Sequence, residues 1–359
     1  MKMVVYQKKI GTKKAVKRFL SVTHVALFFL SLISFLQCSA SEKALKEEKE
    51  LVWPLPPEKP RIKYLRSLSD RKSIEGSESK ILETLLGEEK SDALQKPYGV
   101  VATNDEKVYV TESSSGRVFV FDLKNSKLSF IGSSSFGSVA MPLGIAADSA
   151  GNIYVADVIQ KAVLVFNPKG EMILSIGGKD EMENPAGIAI DNIRRRLYVI
   201  DSKAHKVKVY SLDGKFLFEF GKRGIEDGEF NFPTNITIDK EGKIYVVDTI
   251  NARVEVFDAE GKYLWKFGSL GDAFGQFTRP KGIAIDSEGN IYVVDAAFNN
   301  FQIFNKEGKL LMHVGSLGKE PGNFWLPAGI SIDNKDRIYI VDAANKRVQL
   351  FQLIKYNNE

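Results

Sequence analysis

Cysteine and histidine are almost missing from this chain. Its 359 residues hold one cysteine, Cys38, and three histidines, His24, His205 and His313. A lone cysteine excludes an intramolecular disulfide, a thiolate zinc centre and a cysteine-bound cluster. Nucleophile motifs are missing too: no Gly-x-Ser-x-Gly elbow occurs, and no Ser stands in a recognisable Ser-His-Asp setting. The glycine-rich segments carry no Gly-Lys-Ser/Thr, so they are not phosphate loops. A charge excess is absent from most of the chain as well. The formal +5 arises from Lys2, Lys8, Lys9, Lys13, Lys14, Lys17 and Arg18, all ahead of the first acidic residue; the remaining 43 basic and 45 acidic residues leave −2. That balance argues against a nucleic-acid partner. With 44% hydrophobic and 26% charged residues, the chain is able to bury a core.

The basic start is followed by an apolar stretch, residues 25–36, and then by Cys38, Ser39 and Ala40. A charged region ahead of a short apolar one is an export signal and is not read as fold. From Phe19 the apolar run is short of the ~20 residues that a membrane span needs, and His24 interrupts it. The single cysteine sits where a bacterial lipoprotein signal places its acylated cysteine. This resembles a lipobox, with Phe35 and Gln37 departing from its usual Leu and small residue. Three outcomes stay open: acylation of Cys38, cleavage after Ala40, or an uncleaved anchor. Each places the body outside the cytoplasm, attached to or released from a membrane. Residues 1–37 are thus read as the signal and 38–60, Glu/Lys-rich and ending in Pro54, Pro56, Pro57 and Pro60, as a charged spacer that does not pack a core.

The rest is repetitive. Pro97-Tyr-Gly-Val-Val-Ala, Pro142-Leu-Gly-Ile-Ala-Ala, Pro185-Ala-Gly-Ile-Ala-Ile, Pro233-Thr-Asn-Ile-Thr-Ile, Pro280-Lys-Gly-Ile-Ala-Ile and Pro327-Ala-Gly-Ile-Ser-Ile recur every 43 to 48 residues. Each opens four short runs rich in Val, Ile and aromatics, separated by turn sequences such as Glu288-Gly-Asn and Lys306-Glu-Gly-Lys. Four antiparallel strands, six times over, predict an all-β six-bladed β-propeller. Tyr109, Tyr154, Tyr198, Tyr245, Tyr292 and Tyr339 hold one place in the second strand, and Phe121, Phe166, Tyr210, Phe257, Phe304 and Phe351 one place in the third. Large rings that recur once per blade are packing between blades. The sixth copy stops after its third strand, which would leave an open edge. Residues 61–69, Arg-Ile-Lys-Tyr-Leu-Arg-Ser-Leu-Ser, look like other fourth strands and are expected to close the ring. The propeller then spans 61–354, with an insertion at 70–96 that holds a short helix near residues 80–86.

The phrases Ile244-Tyr-Val-Val-Asp-Thr-Ile-Asn-Ala-Arg-Val-Glu-Val-Phe and Gly289-Asn-Ile-Tyr-Val-Val-Asp resemble NHL repeats, and the similarity runs over about residues 97–354. This resemblance implies the propeller fold but no single activity, since the family holds protein-binding and RNA-binding members beside lyases and lactonases. Together with the lipobox and the Pro-rich spacer, it looks like bacterial NHL-repeat lipoproteins, some of which accompany multihaem c-type cytochromes. A protein partner in the cell envelope is therefore the implied class. A three-His zinc site like that of the amidating-lyase relatives cannot be assembled from these histidines.

Candidate site residues are the departures from the repeat. Each second strand ends in an acid (Glu112, Asp157, Asp201, Asp248, Asp295, Asp342), and five residues on stand Arg117, Ala162, Lys206, Arg253, Asn300 and Arg347. A carboxylate–Arg bond at fixed spacing is structural; Asp157 and Asp295 lack the basic partner and are the members open to another role. Asn235, with Thr234 beside it, replaces the axial glycine. These four residues are the candidates for a Ca2+ site at the channel mouth, which a lactonase-like hydrolase needs. No other cofactor is expected. The connections after Gly221, Gly268 and Gly315 are long, those before Pro142 and Pro185 are shorter, and the one before Pro97 carries the insertion, so one side of that face is raised. Raised loops on a rigid scaffold bind partners, which nominates Lys222, Arg223, Leu270, Phe274, Leu317 and Trp325. A non-catalytic, membrane-anchored binding module is the expected function, and a divalent-cation hydrolase the alternative.

Overall fold

The computed structural model describes residues 50–75, 92–132 and 138–356. Leu51–Glu359 forms one compact unit. Cys38 and the helix expected near residues 80–86 lie outside the described residues. Six antiparallel sheets are present, five of four strands and one of five. Blades 1 to 6 open at Pro97, Pro142, Pro185, Pro233, Pro280 and Pro327, and in each the four strands run outward from the axis.

Strand alternation sets the packing. The second and third strands are buried on both faces, as in Ile244–Asp248 and Arg253–Phe257, because each blade is sandwiched between two others. Fourth strands are half exposed, as in Phe216–Phe220. First strands converge on the axis, and there the glycine of the opening motif lets backbones meet. A Cβ on Gly144 would stand 2.1 Å from the Ala186 carbonyl oxygen, and one on Gly329 would stand 2.6 Å from that of Tyr98. The recurring Tyr and Phe side chains are buried between blades as expected. The tyrosines do more than pack. Tyr292 donates its hydroxyl to Asp286 at 3.0 Å, Tyr339 to Asp333 at 3.0 Å, and Tyr245 to Asp239 at 3.1 Å. Those carboxylates cap the turn between first and second strands, so each hydroxyl ties a blade's body to its own hairpin.

Closure takes the expected route. Ile62–Leu68 pairs antiparallel with Arg347–Leu353 as the fourth strand of blade 6, with Ile62 and Leu68 fully buried. The chain goes one strand further than the sequence suggested. Val52–Trp53 pairs with Lys63 and Ile62, and Trp53 meets Phe351 edge-on at 5.9 Å. The end of the presumed spacer is therefore part of the ring. The insertion is fastened at its base: Asp70 bridges Ala93, Arg71 holds Asp92 at 2.7 Å, and Glu75 of the short helix Lys72–Glu75 accepts the Leu128 amide at 3.0 Å.

Candidate functional site

The ends of the second strands and the starts of the first strands lie on one face, here called the upper face. Six carboxylates organise it. Asp157 accepts the amides of Ala140 and Met141 from the incoming connection and those of Ile159 and Gln160 from its own turn. Asp295 does the same with Thr278, Arg279, Ala297 and Phe298. Both side chains are fully buried. The expected carboxylate–Arg pairing is made by Asp248 with Arg253 at 3.0 Å and by Asp342 with Arg347 at 2.8 Å. Elsewhere backbone amides take its place, which is why Ala162 and Asn300 are tolerated.

A rule in the sequence decides which blades use arginine. The last residue of each turn between second and third strands has positive φ: Gly116, Lys161, His205, Ala252, Asn299 and Lys346. Only His205 and Asn299 offer an acceptor toward the next blade. His205 Nδ1 takes the Phe232 amide at 3.2 Å and Asn299 Oδ1 the Leu326 amide at 2.9 Å. In the other four blades the amide before proline (Lys96, Met141, Asn184, Arg279) goes to that blade's own carboxylate at 2.6 to 3.2 Å. Asp248 and Asp342 are thereby left with room for Asn251 and Arg253, and for Asn345 and Arg347. The arginines reach on to the raised connections: Arg253 donates to the carbonyls of Ile225, Glu226 and Glu229, and Arg347 to those of Glu320 and Asn323.

Capture by the neighbouring blade has a conformational cost. Phe232 and Leu326 both sit at φ 51°, an outlier for large side chains. Both are also exposed, at 44% and 42%. They belong to a larger pattern. Half of the large apolar side chains exposed among the described residues lie on the upper face: Met141, Ile159, Ile225, Phe232, Ile250, Leu270, Phe274, Leu317, Trp325 and Leu326. Leu270, Phe274 and Leu317 are 64 to 70% exposed. They are not loose. Phe274 stacks on His313 at 3.9 Å and 16°. The three long connections share one framework, in which Arg223, Leu270 and Leu317 bridge Phe230, Phe277 and Phe324. Those phenylalanines are fully buried against Gly221, Gly268 and Gly315, where a Cβ would fall 2.3 to 2.6 Å from the ring. Lys222 is the exposed partner of Glu229 at 3.0 Å. The nominated rim residues thus stand on one face, together with apolar residues that the sequence reading left out.

The channel is different in chemistry. A cavity of about 330 Å³ runs along the first strands, lined by Val101, Ala147, Ile190, Thr237, Ile285, Ser331 and their neighbours, with Tyr98 its one titratable side chain. Asn235 lines it, with Oδ1 taking the Ile236 amide at 2.8 Å. Thr234 pairs with Thr249 at 2.7 Å. Asp157 and Asp295 are not in the lining, so the four candidate calcium ligands are not gathered at one place. Among the described residues no group of three or more His, Cys, Asp or Glu is set to hold a metal ion.

Fold and repeat together define a six-bladed propeller with a concentration of exposed apolar side chains on its upper face and a channel lined without Asp, Glu, Lys or Arg. A family model described as 6-bladed beta-propeller matches residues 145–222, 225–301 and 287–359, more than half of the chain, and the protein belongs to that family. Among curated proteins none matches the sequence. Solved structures of the same shape include a protein of unknown function from Bacteroides thetaiotaomicron, with 16% identity over 75% of this chain and 72% of that one and a TM-score of 0.58. A gluconolactonase from Xanthomonas campestris aligns at 14% identity over 73% and 87%, TM-score 0.57. Virginiamycin B lyase from Staphylococcus aureus aligns at 14% over 72% and 96%, TM-score 0.52. At such identities the likeness concerns the fold alone.

Proposed function

We propose that this propeller is a non-catalytic docking module of the bacterial cell envelope, NHL-like in its repeats, held to the membrane through acylated Cys38, and that its upper face receives a protein partner. One observation carries the reading: large apolar side chains are exposed together on that face, two of them in strained backbone, several on connections tied down by buried polar side chains. Scattered exposed apolar residues are ordinary, whereas a concentrated set on a rigid mount marks an interaction surface. The class of partner follows from the resemblance noted above, an envelope protein such as a c-type cytochrome system. The alternative of a divalent-cation hydrolase has less support, because Asn235 and Thr234 are engaged within the ring and Asp157 and Asp295 are buried under amides.

The test is chemical cross-linking of tagged protein in its native membrane. Wild type is compared with Leu270→Asp/Phe274→Asp/Leu317→Asp, three exposed positions, and a cooperative melt of the variant checks that it folds. The expected result is a defined cross-linked partner that the triple variant loses. A partner retained by the triple variant places docking elsewhere.

A further inference from the structure

Three third strands hold the three raised connections through one position, occupied by Glu255, Gln302 and Gln349. In each case Oε1 accepts a glycine amide of the connection: Gly228 at 3.3 Å, Gly275 at 2.7 Å and Gly322 at 2.9 Å. The second side-chain atom then differs. Gln302 Nε2 donates to the Gln276 carbonyl at 2.9 Å, and Gln349 Nε2 to that of Asn323 at 2.7 Å and to Asp342 at 3.1 Å. Glu255 has Oε2 in that position, fully buried and without a hydrogen-bond partner. The groups corresponding to the glutamine's acceptors are the Glu229 carbonyl and Asp248, and both are acceptors as well. An unprotonated oxygen there finds nothing to bond; a carboxylic acid reproduces what glutamine does.

Charge gives the same answer. Arg253 is shared between Asp248 at 3.0 Å and Glu255 at 3.3 Å. In blade 6 the same places hold one carboxylate, one guanidinium and a neutral amide (Asp342, Arg347, Gln349). Blade 4 attains that balance only with Glu255 neutral. We propose that Glu255 is held as the neutral acid and latches the 221–232 connection to blade 4, and that its ionisation as pH rises unlatches that connection alone. Burial supports this, pushing Glu255 up to about 7 against the opposing pull of Arg253. The other titratable groups around it are Lys266, held by Asp227 at 2.6 Å, Tyr263 on the fourth strand, and Asp248. His205, from blade 3, faces the end of the same connection through the Phe232 amide. The latch stands without any partner; the corollary, that docking weakens as pH rises, rests on the upper-face reading given above.

Hydrogen exchange of the intact protein tests it, because the molecule contains its own control. Peptides covering 221–232 and 315–326 are followed between about pH 5.5 and 8.5, corrected for intrinsic exchange chemistry. Protection of 221–232 falls about tenfold across that range while 315–326 holds constant. Glu255→Gln, the residue that blades 5 and 6 use, removes the pH response, and His205→Asn retains it. Equal responses in both connections, or a response that persists in Glu255→Gln, would overturn the latch. A normal latch with partner cross-linking unaffected by pH would instead sink the corollary.

Discussion

At the residue scale, single acceptors decide how blades join. Asn299 shows this clearly: its Oδ1 accepts the Leu326 amide across the junction at 2.9 Å, and Leu326 sits at φ 51°. Asn299→Ala leaves a strained amide without its partner and should lower unfolding free energy by about 1–2 kcal/mol. Asn299→His should recover most of that, since His205 does the same work two junctions away. Chemical denaturation of the three proteins checks both. Glu255 gives the pH dependence. Its folded value is raised above that of the unfolded chain, so on raising pH the unfolded chain loses this proton first and the folded state binds more protons. The contribution of Glu255 to stability is therefore full in acid, falls with pH between the ordinary carboxylate range and about 7, and is flat beyond. Glu255→Gln should flatten that segment of the curve and raise the midpoint above pH 7; a lower midpoint there would refute the assignment.

At the element scale, the repeat made most of the architecture legible. Prolines at fixed spacing, glycine beside the axis and aromatics once per strand all report on positions that every blade must fill. The closing strand was readable because Ile62 and Leu68 continue the pattern of a fourth strand. Val52–Trp53 was not, because the prolines around it mimic a linker and a two-residue strand has no periodicity. Trp53 was the available signal: an isolated tryptophan in a charged spacer has no reason to be there unless it is covered. Removing residues 51–69 deletes two strands and uncovers Phe351, and should lower the melting temperature by more than about 10 °C. Trp53→Ala alone should cost about 2–3 kcal/mol. A wild-type melt for the deletion would remove this segment from the fold.

Scale of the whole molecule separates what the repeats share from what they do not. Shared positions explain the ring; the upper face was legible in part, from loop length and with Trp325 among its residues, while Phe232 and Leu326 became visible only once the first strands were seen to deliver them there. Sequence could not show that Asp157 and Asp295 are saturated, because their partners are backbone amides, which leave no trace in residue identity. Calcium gives a separate check on the channel. Addition should leave the melting temperature unchanged, and a rise that Asn235→Ala abolishes would restore the hydrolase reading. Cys38→Ala should move the protein from the membrane to the soluble fraction of the envelope; retention at the membrane would speak against acylation. The most direct measurement is an exchange footprint of the propeller in its native membrane extract against the purified protein. Docking on the upper face predicts added protection in 221–232, 268–279 and 315–326, with the outer fourth strands unchanged. Protection confined to the fourth strands or to the channel, with these connections unaffected, would contradict it.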